Sequence, residues 1–93
     1  QNELIPKHGV YAVLCEVKGL NYQAVVNIGT NPTFEDNGSI NIEVHIIDFN
    51  GSLYGKRLKI HFAQRIRHEI KFKTVDELVK QIKKDIKMAK ALL

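Results

Sequence analysis

Apolar and polar positions along this chain follow two periods, and the change between them falls near Phe72. Upstream the spacing is that of strands. Residues 9–17, GVYAVLCEV, are rich in β-formers and follow Pro6, which predicts a strand. Lys18-Gly19-Leu20-Asn21 predicts a turn and residues 22–29, YQAVVNIG, the returning strand. The segment 30–39 holds Pro32, Asn37 and Gly38 and reads as a loop. Residues 40–49 alternate, with Ile40, Ile42, Val44 and Ile46 on one face and Asn41, Glu43, His45 and Ile47 on the other. Asn50-Gly51 is a tight-turn signal. A fourth strand is predicted over 57–63, with Leu58, Ile60 and Phe62 on one side and Lys59 and His61 on the other.

Beyond Phe72 the period becomes helical. Thr74 with Glu77 three residues later fits a capping box, Thr74 being the N-cap. Val75, Leu78, Val79, Ile82, Ile86, Ala89 and Leu92 then form one apolar stripe, and Lys80, Lys83, Lys84, Lys87 and Lys90 populate the wet face. The predicted fold class is mainly β: a small antiparallel Greek-key barrel with one amphipathic C-terminal helix covering an opening.

Length and composition narrow this further. Ninety-three residues make one domain, and 44% apolar with 26% charged residues is the balance of a folded chain rather than a disordered one. No apolar run approaches the roughly 20 residues needed to span a bilayer. The one cysteine, Cys15, rules out an internal disulfide and suits a reducing, cytoplasmic setting. Its place in VYAVLCEV predicts a small buried hydrophobe. The net charge of +4 is uneven: residues 65–93 carry nine Lys/Arg against four Asp/Glu, and residues 1–64 carry five against six. A basic end attracts nucleic acid, anionic lipid and phosphorylated ligands alike.

Several kinds of site are absent from the pattern. His8, His45, His61 and His68 have no close metal-ligand spacing and there is no cysteine pair, which argues against zinc. There is no Walker-type glycine loop and no dinucleotide-binding fingerprint. The sequence around Ser39 and Ser52 does not indicate a serine nucleophile. Three features remain. Glu43 reads on pattern as a solvated strand residue or as a site carboxylate, and the company of Asn41 and Ile47 suggests that a loop or ligand covers its face. Residues 65–72, RIRHEIKF, read as a solvated basic connection or as a binding loop, with Ile70 or Phe72 against a flat ring and Arg67 at its polar edge. NIGTNPTF, with Gly29 and Pro32, reads as a plain loop or as one whose amides face an anion.

Taken in order, NIGTNPTF, IEVHIIDF, LYGK, RIRHEIKF and a helix beginning TVDEL and containing QIKKDI resemble the riboflavin kinase domain, from about Ile5 to Leu93. In bacteria that domain is usually the C-terminal half of a bifunctional riboflavin kinase and FMN adenylyltransferase, an FAD synthetase. The resemblance implies a six-stranded Greek-key barrel with a C-terminal helix. It also implies transfer of the γ-phosphoryl group of ATP, with Mg2+, to the 5′-hydroxyl of riboflavin, giving FMN in the cytoplasm. Glu43 matches the family's catalytic base. Tyr54, in LYGK, matches a residue near the nucleotide, and Arg67, Ile70, Phe72 and Glu77 fall where the family contacts the flavin.

One departure matters. The family carries a Pro-Thr-x-Asn motif shortly before the segment matching LIPKHGVYAV, and its Thr and Asn bind Mg2+ and the ATP phosphates. The chain holds no such motif, and Asn31-Pro32-Thr33 aligns with a different loop. Residues 1–93 therefore read as a single kinase domain lacking its first strand, with no metal ligand of its own. The metal ligands and an adenylyltransferase domain are expected upstream of Gln1, and the 93 residues alone are expected to be nearly inactive. The implied partners are small molecules, not nucleic acid or membrane, and an open barrel edge invites pairing between chains. The alternative reading is a non-catalytic barrel that binds nucleic acid through the basic segment 65–93, although that segment has few aromatic stacking platforms.

Overall fold

The computed structural model describes residues 7–30, 40–52 and 55–93. Four antiparallel strands and one helix follow in chain order: β1 (Gly9–Val17), β2 (Leu20–Thr30), β3 (Ile40–Ile46), β4 (Leu58–Arg67) and α1 (Val75–Leu92). The strands lie in the order β3-β2-β1-β4. Three consecutive strands are neighbours and the fourth returns beside the first, which is the Greek-key arrangement expected from the sequence. Of the six strands that the resemblance implies, four lie among the described residues.

Local chemistry explains the hairpin. Lys18 and Gly19 have φ of 52° and 80°, so both central residues of a two-residue loop adopt the left-handed conformation that suits the twist of paired strands. Val17 then faces Leu20, and the register runs unbroken to Gly9 opposite Ile28. The strands are longer than the apolar pattern alone indicates: β2 reaches from Leu20 to Thr30, and β4 continues through Arg67. β3 instead ends at Ile46, and Asp48 turns the chain with φ of 57°. Asn50-Gly51 does not close a hairpin, because β3 and β4 occupy opposite edges of the sheet.

The sheet has two apolar faces. On one, Tyr11, Val13, Cys15, Val17, Ala24, Val26 and Ile28 form a buried cluster joined by Val44, Ile46, Leu58 and Ile60. Each fully buried aliphatic side chain there contributes about 1.5–3 kcal/mol relative to exposure. Tyr11 also meets Phe62 edge to face, with ring centroids 5.2 Å apart. On the other face Val10, Ala12, Val25 and Ile47 pack against Ala89 of α1, with Ile66, Ile86 and Leu93 around them. The helix thus lies along the outer face of the sheet, not across a barrel opening. It is the cover that Ile47, on the same side as Glu43, requires.

Thr74 caps α1 as expected: its hydroxyl accepts from the Glu77 amide at 3.1 Å, and Glu77 accepts in return from the Lys73 amide at 3.2 Å. The apolar stripe is covered from Ile82 to Ala89, and Leu92 beyond it is 39% exposed. Ala89 is buried and Ile86 half-buried, whereas Val75, Leu78 and Val79 are exposed. Helix α1 overhangs the sheet at its N-terminal end.

Candidate functional site

The overhang makes a cleft. Asn27 of β2 stands opposite Glu43 of β3, and Gly29 opposite Asn41. Alternation puts these residues on the helix side, because Val26 and Ile28 one step away belong to the other face. They line one wall of a cleft of about 320 Å³, and Glu69, Ile70, Lys71, Phe72 and Leu78 line the rest. A second cleft of about 250 Å³ shares Asn27, Glu43 and Leu78 and is completed by residues including Val25, His45, Arg67, Ile82 and Asp85. Glu43 borders both clefts. Its Oε2 accepts from the Asn41 side-chain amide at 3.1 Å, which holds the carboxylate along the strand.

Arg67 reaches this side by an irregularity. The β1–β4 register slips twice, once between the partners of Ala12 and Val13 and once between those of Val10 and Tyr11. The two bulges add one residue each to β4 and bring both Ile66 and Arg67 to the helix side, where simple alternation would separate them. Val10 then joins Arg67 to Asn27 and Glu43 in a row that crosses all four strands. The Arg67 guanidinium donates to Asp85 from Nε at 2.9 Å and from Nη2 at 2.7 Å, and from Nη1 to the His68 carbonyl at 3.0 Å. Gln81 adds a third donor to Asp85 at 3.1 Å. The Asp85 side chain is 4% exposed and that of Arg67 14%. A bidentate, largely buried pair of this kind fixes the planar guanidinium firmly.

The residues singled out in the sequence therefore separate. Glu43, Ile70 and Phe72 share one cleft, and Arg67 joins Glu43 in the other with its fork engaged by Asp85. Glu77 is exposed, closes the helix cap and lines neither cleft. Tyr54 and Asn31-Pro32-Thr33 lie outside the described residues. Asp85 and Glu69 were not anticipated. A carboxylate at position 85, among Ile82, Ile86 and Ala89 on one helical face, was the available signal for the first. Glu69 was hidden in a segment that reads as a basic connection. Among the described residues no three His, Cys, Asp or Glu side chains gather as cation ligands. Mg2+ usually takes one or two protein carboxylates together with waters and substrate phosphates, and the carboxylates bordering these clefts are Glu43, Glu69 and Asp85, the last engaged by Arg67.

Fold and site together define a Greek-key β-domain with a half-apolar cleft between sheet and helix. The chain belongs to the riboflavin kinase family, whose profile, described as flavokinase, matches residues 1–93. It is 46% identical over 84 residues to the bifunctional riboflavin kinase/FMN adenylyltransferase of Bacillus subtilis, covering 88% of this chain and 27% of that protein. It is 39% identical over 88 residues to the protein of the same description from Pseudomonas fluorescens, covering 95% and 28%. Among solved structures, one described as a macrolide-efflux protein from Streptococcus pneumoniae superposes with a TM-score of 0.81 at 38% identity, covering 91% of this chain and 28% of that one. The chain thus spans little more than a quarter of the length of these relatives. No helix among the described residues is long and apolar enough to cross a membrane.

Proposed function

We propose that this chain forms the flavin-side part of a cytoplasmic riboflavin kinase, with Glu43 as the base that accepts the proton of the riboflavin 5′-hydroxyl. The observation that carries this reading is the position of Glu43 on the helix side of β3, bordering both clefts. A primary alcohol is a weak nucleophile. As its oxygen bonds to the γ-phosphorus of ATP and the bond to the ADP oxygen breaks, the Glu43 carboxylate takes the proton. Such a base contributes roughly 10²–10⁴-fold, and the rest of phosphoryl transfer is positioning and charge neutralisation.

Ile70, Phe72 and Leu78 supply the apolar surface that a flat isoalloxazine needs, and Asn27 and Asn41 supply polar contacts. Arg67 contributes the N–H groups that Asp85 and His68 leave over. Glu77 acts through the helix start it caps, and Tyr54 is assigned to the nucleotide on sequence resemblance. The chemistry at the phosphates calls on Mg2+ and on the Pro-Thr-x-Asn that these 93 residues do not contain. The relatives of matching description carry an FMN adenylyltransferase beside the kinase, and the longer protein is proposed to do the same. Tyr11 and Tyr22 are paired with Phe62 and Phe49, and Phe72 lines the cleft. That leaves the lysine face of α1 without stacking partners among the described residues and favours small-molecule over nucleic-acid binding.

Glu43→Gln in the full-length protein tests the assignment. Turnover should fall by at least about 100-fold, with riboflavin affinity measured by flavin fluorescence largely kept. Unchanged turnover would remove Glu43 from the role of base.

A further inference from the structure

Glu69 is a half-buried carboxylate on the wall of the cleft. Its side chain is 22% exposed, yet it accepts no hydrogen bond from the described residues. Its nearest cations stand off at 3.6 Å (Lys71 Nζ) and 3.8 Å (His8 Nδ1), beyond hydrogen-bonding length. The carboxylate rests on Gly29: a Cβ at that position would come within 2.6 Å of Glu69 Cδ. Glycine at 29 is what allows the acid to lie over the strand and face the cleft. Both cations stand beyond hydrogen-bond length, and a ligand with N–H or O–H groups would supply donors at shorter range.

The register says which donors. Gly29 is the diagonal neighbour of Glu43, two residues along from its direct partner Asn27. Diagonal positions lie about 7–8 Å apart. Resting on the proposed reading of Glu43 as base, the 5′-hydroxyl sits at Glu43. The hydroxyls of the ribityl chain are then within reach of Glu69, whereas the imide edge of the flavin lies a whole ring system away. We infer that Glu69 binds the ribityl hydroxyls of riboflavin and so selects flavins that carry a polyol chain.

The test is fluorescence titration of the full-length protein with riboflavin and with lumiflavin, which has the same ring system and no hydroxyls. One or two charge-assisted hydrogen bonds are worth roughly 10- to 100-fold in affinity. Glu69→Ala should therefore weaken riboflavin binding by that factor and leave lumiflavin binding unchanged. Gly29→Ala, which displaces the carboxylate without deleting it, should also lower the riboflavin-to-lumiflavin ratio, and it keeps the test available if Glu69→Ala does not fold. A ratio that stays constant in the variants, whether both affinities fall or neither does, overturns the role of Glu69 while leaving the cleft a flavin site. Wild-type protein that binds neither flavin overturns the flavin reading itself, and this inference with it.

Discussion

Replacing Asp85 with alanine should destabilise the domain far more than loss of an ordinary ion pair would. Asp85 accepts two hydrogen bonds from Arg67, at 2.9 and 2.7 Å, and one from Gln81 at 3.1 Å, with 4% of its side chain exposed. An exposed salt bridge is worth about 0–1 kcal/mol, but removing one partner of a buried pair costs about 3–5 kcal/mol because the other charge is stranded. Two corrections apply. Alanine is the better helix former by up to about 0.7 kcal/mol. Arg67 also keeps its bond to the His68 carbonyl and is 14% exposed, so water relieves part of the loss. The expected net cost is about 3 kcal/mol, a large share of the roughly 5–15 kcal/mol that stabilises a domain. At about 4–8 °C per kcal/mol for a chain of this size, Tm should fall by at least about 12 °C. Urea denaturation followed by far-UV circular dichroism measures the first figure and a thermal scan the second. Added salt should change the difference little, since the pair is buried. The double variant Arg67→Met with Asp85→Leu should recover most of it, because matched apolar replacement leaves no charge unpaired. A loss under about 1 kcal/mol for Asp85→Ala would refute the argument and put the pair in the surface class.

Thr74→Ala removes the acceptor for the Glu77 amide and should cost about 1 kcal/mol, seen as a Tm lowered by about 4–8 °C. Burial pushes the Cys15 thiol above its ordinary value of 9.0. The folded state thus holds the proton more tightly than the unfolded chain does. The stability this confers is complete below pH 9.0 and is lost as pH rises through the folded value. Denaturation midpoints from about pH 8 to pH 10 should show this decline, and Cys15→Ala should lack that part of it.

Much of the scaffold was legible because its signals are local. GVYAVLCEV is β1 to the residue, Lys18-Gly19 makes the turn, and Thr74 with Glu77 marks the start of α1. What the pattern missed is not local. Alternation ends the predicted fourth strand at Ala63 because two bulges break the pattern there, and bulges answer to a neighbouring strand that one segment does not reveal. Asn50-Gly51 resembles a hairpin turn in isolation, but the chain after it crosses to the far edge of the sheet. Glu43 was ambiguous on its own strand for the same reason. Whether its face is wet depends on where α1 lies, and the stripe of α1 says that it packs without saying against what. The ordered resemblance singled out Glu43 where periodicity could not. It did not reach Glu69, whose place over Gly29 joins residues forty positions apart.

The uneven seating of α1 divides its residues by the kind of defect they would cause. Its C-terminal half is held to the sheet through Asp85 and Ala89, whereas Val75 and Val79 are exposed and Leu78 borders both clefts. Changes in the clamped half act on the folding equilibrium and alter how much native protein exists. Changes at exposed Val75 and Val79 should leave that equilibrium near its original value, and a change at Leu78 alters the cleft it lines. One helix therefore carries two nearly separable sets of positions, and substitutions in the second set can tune the ligand without endangering the fold.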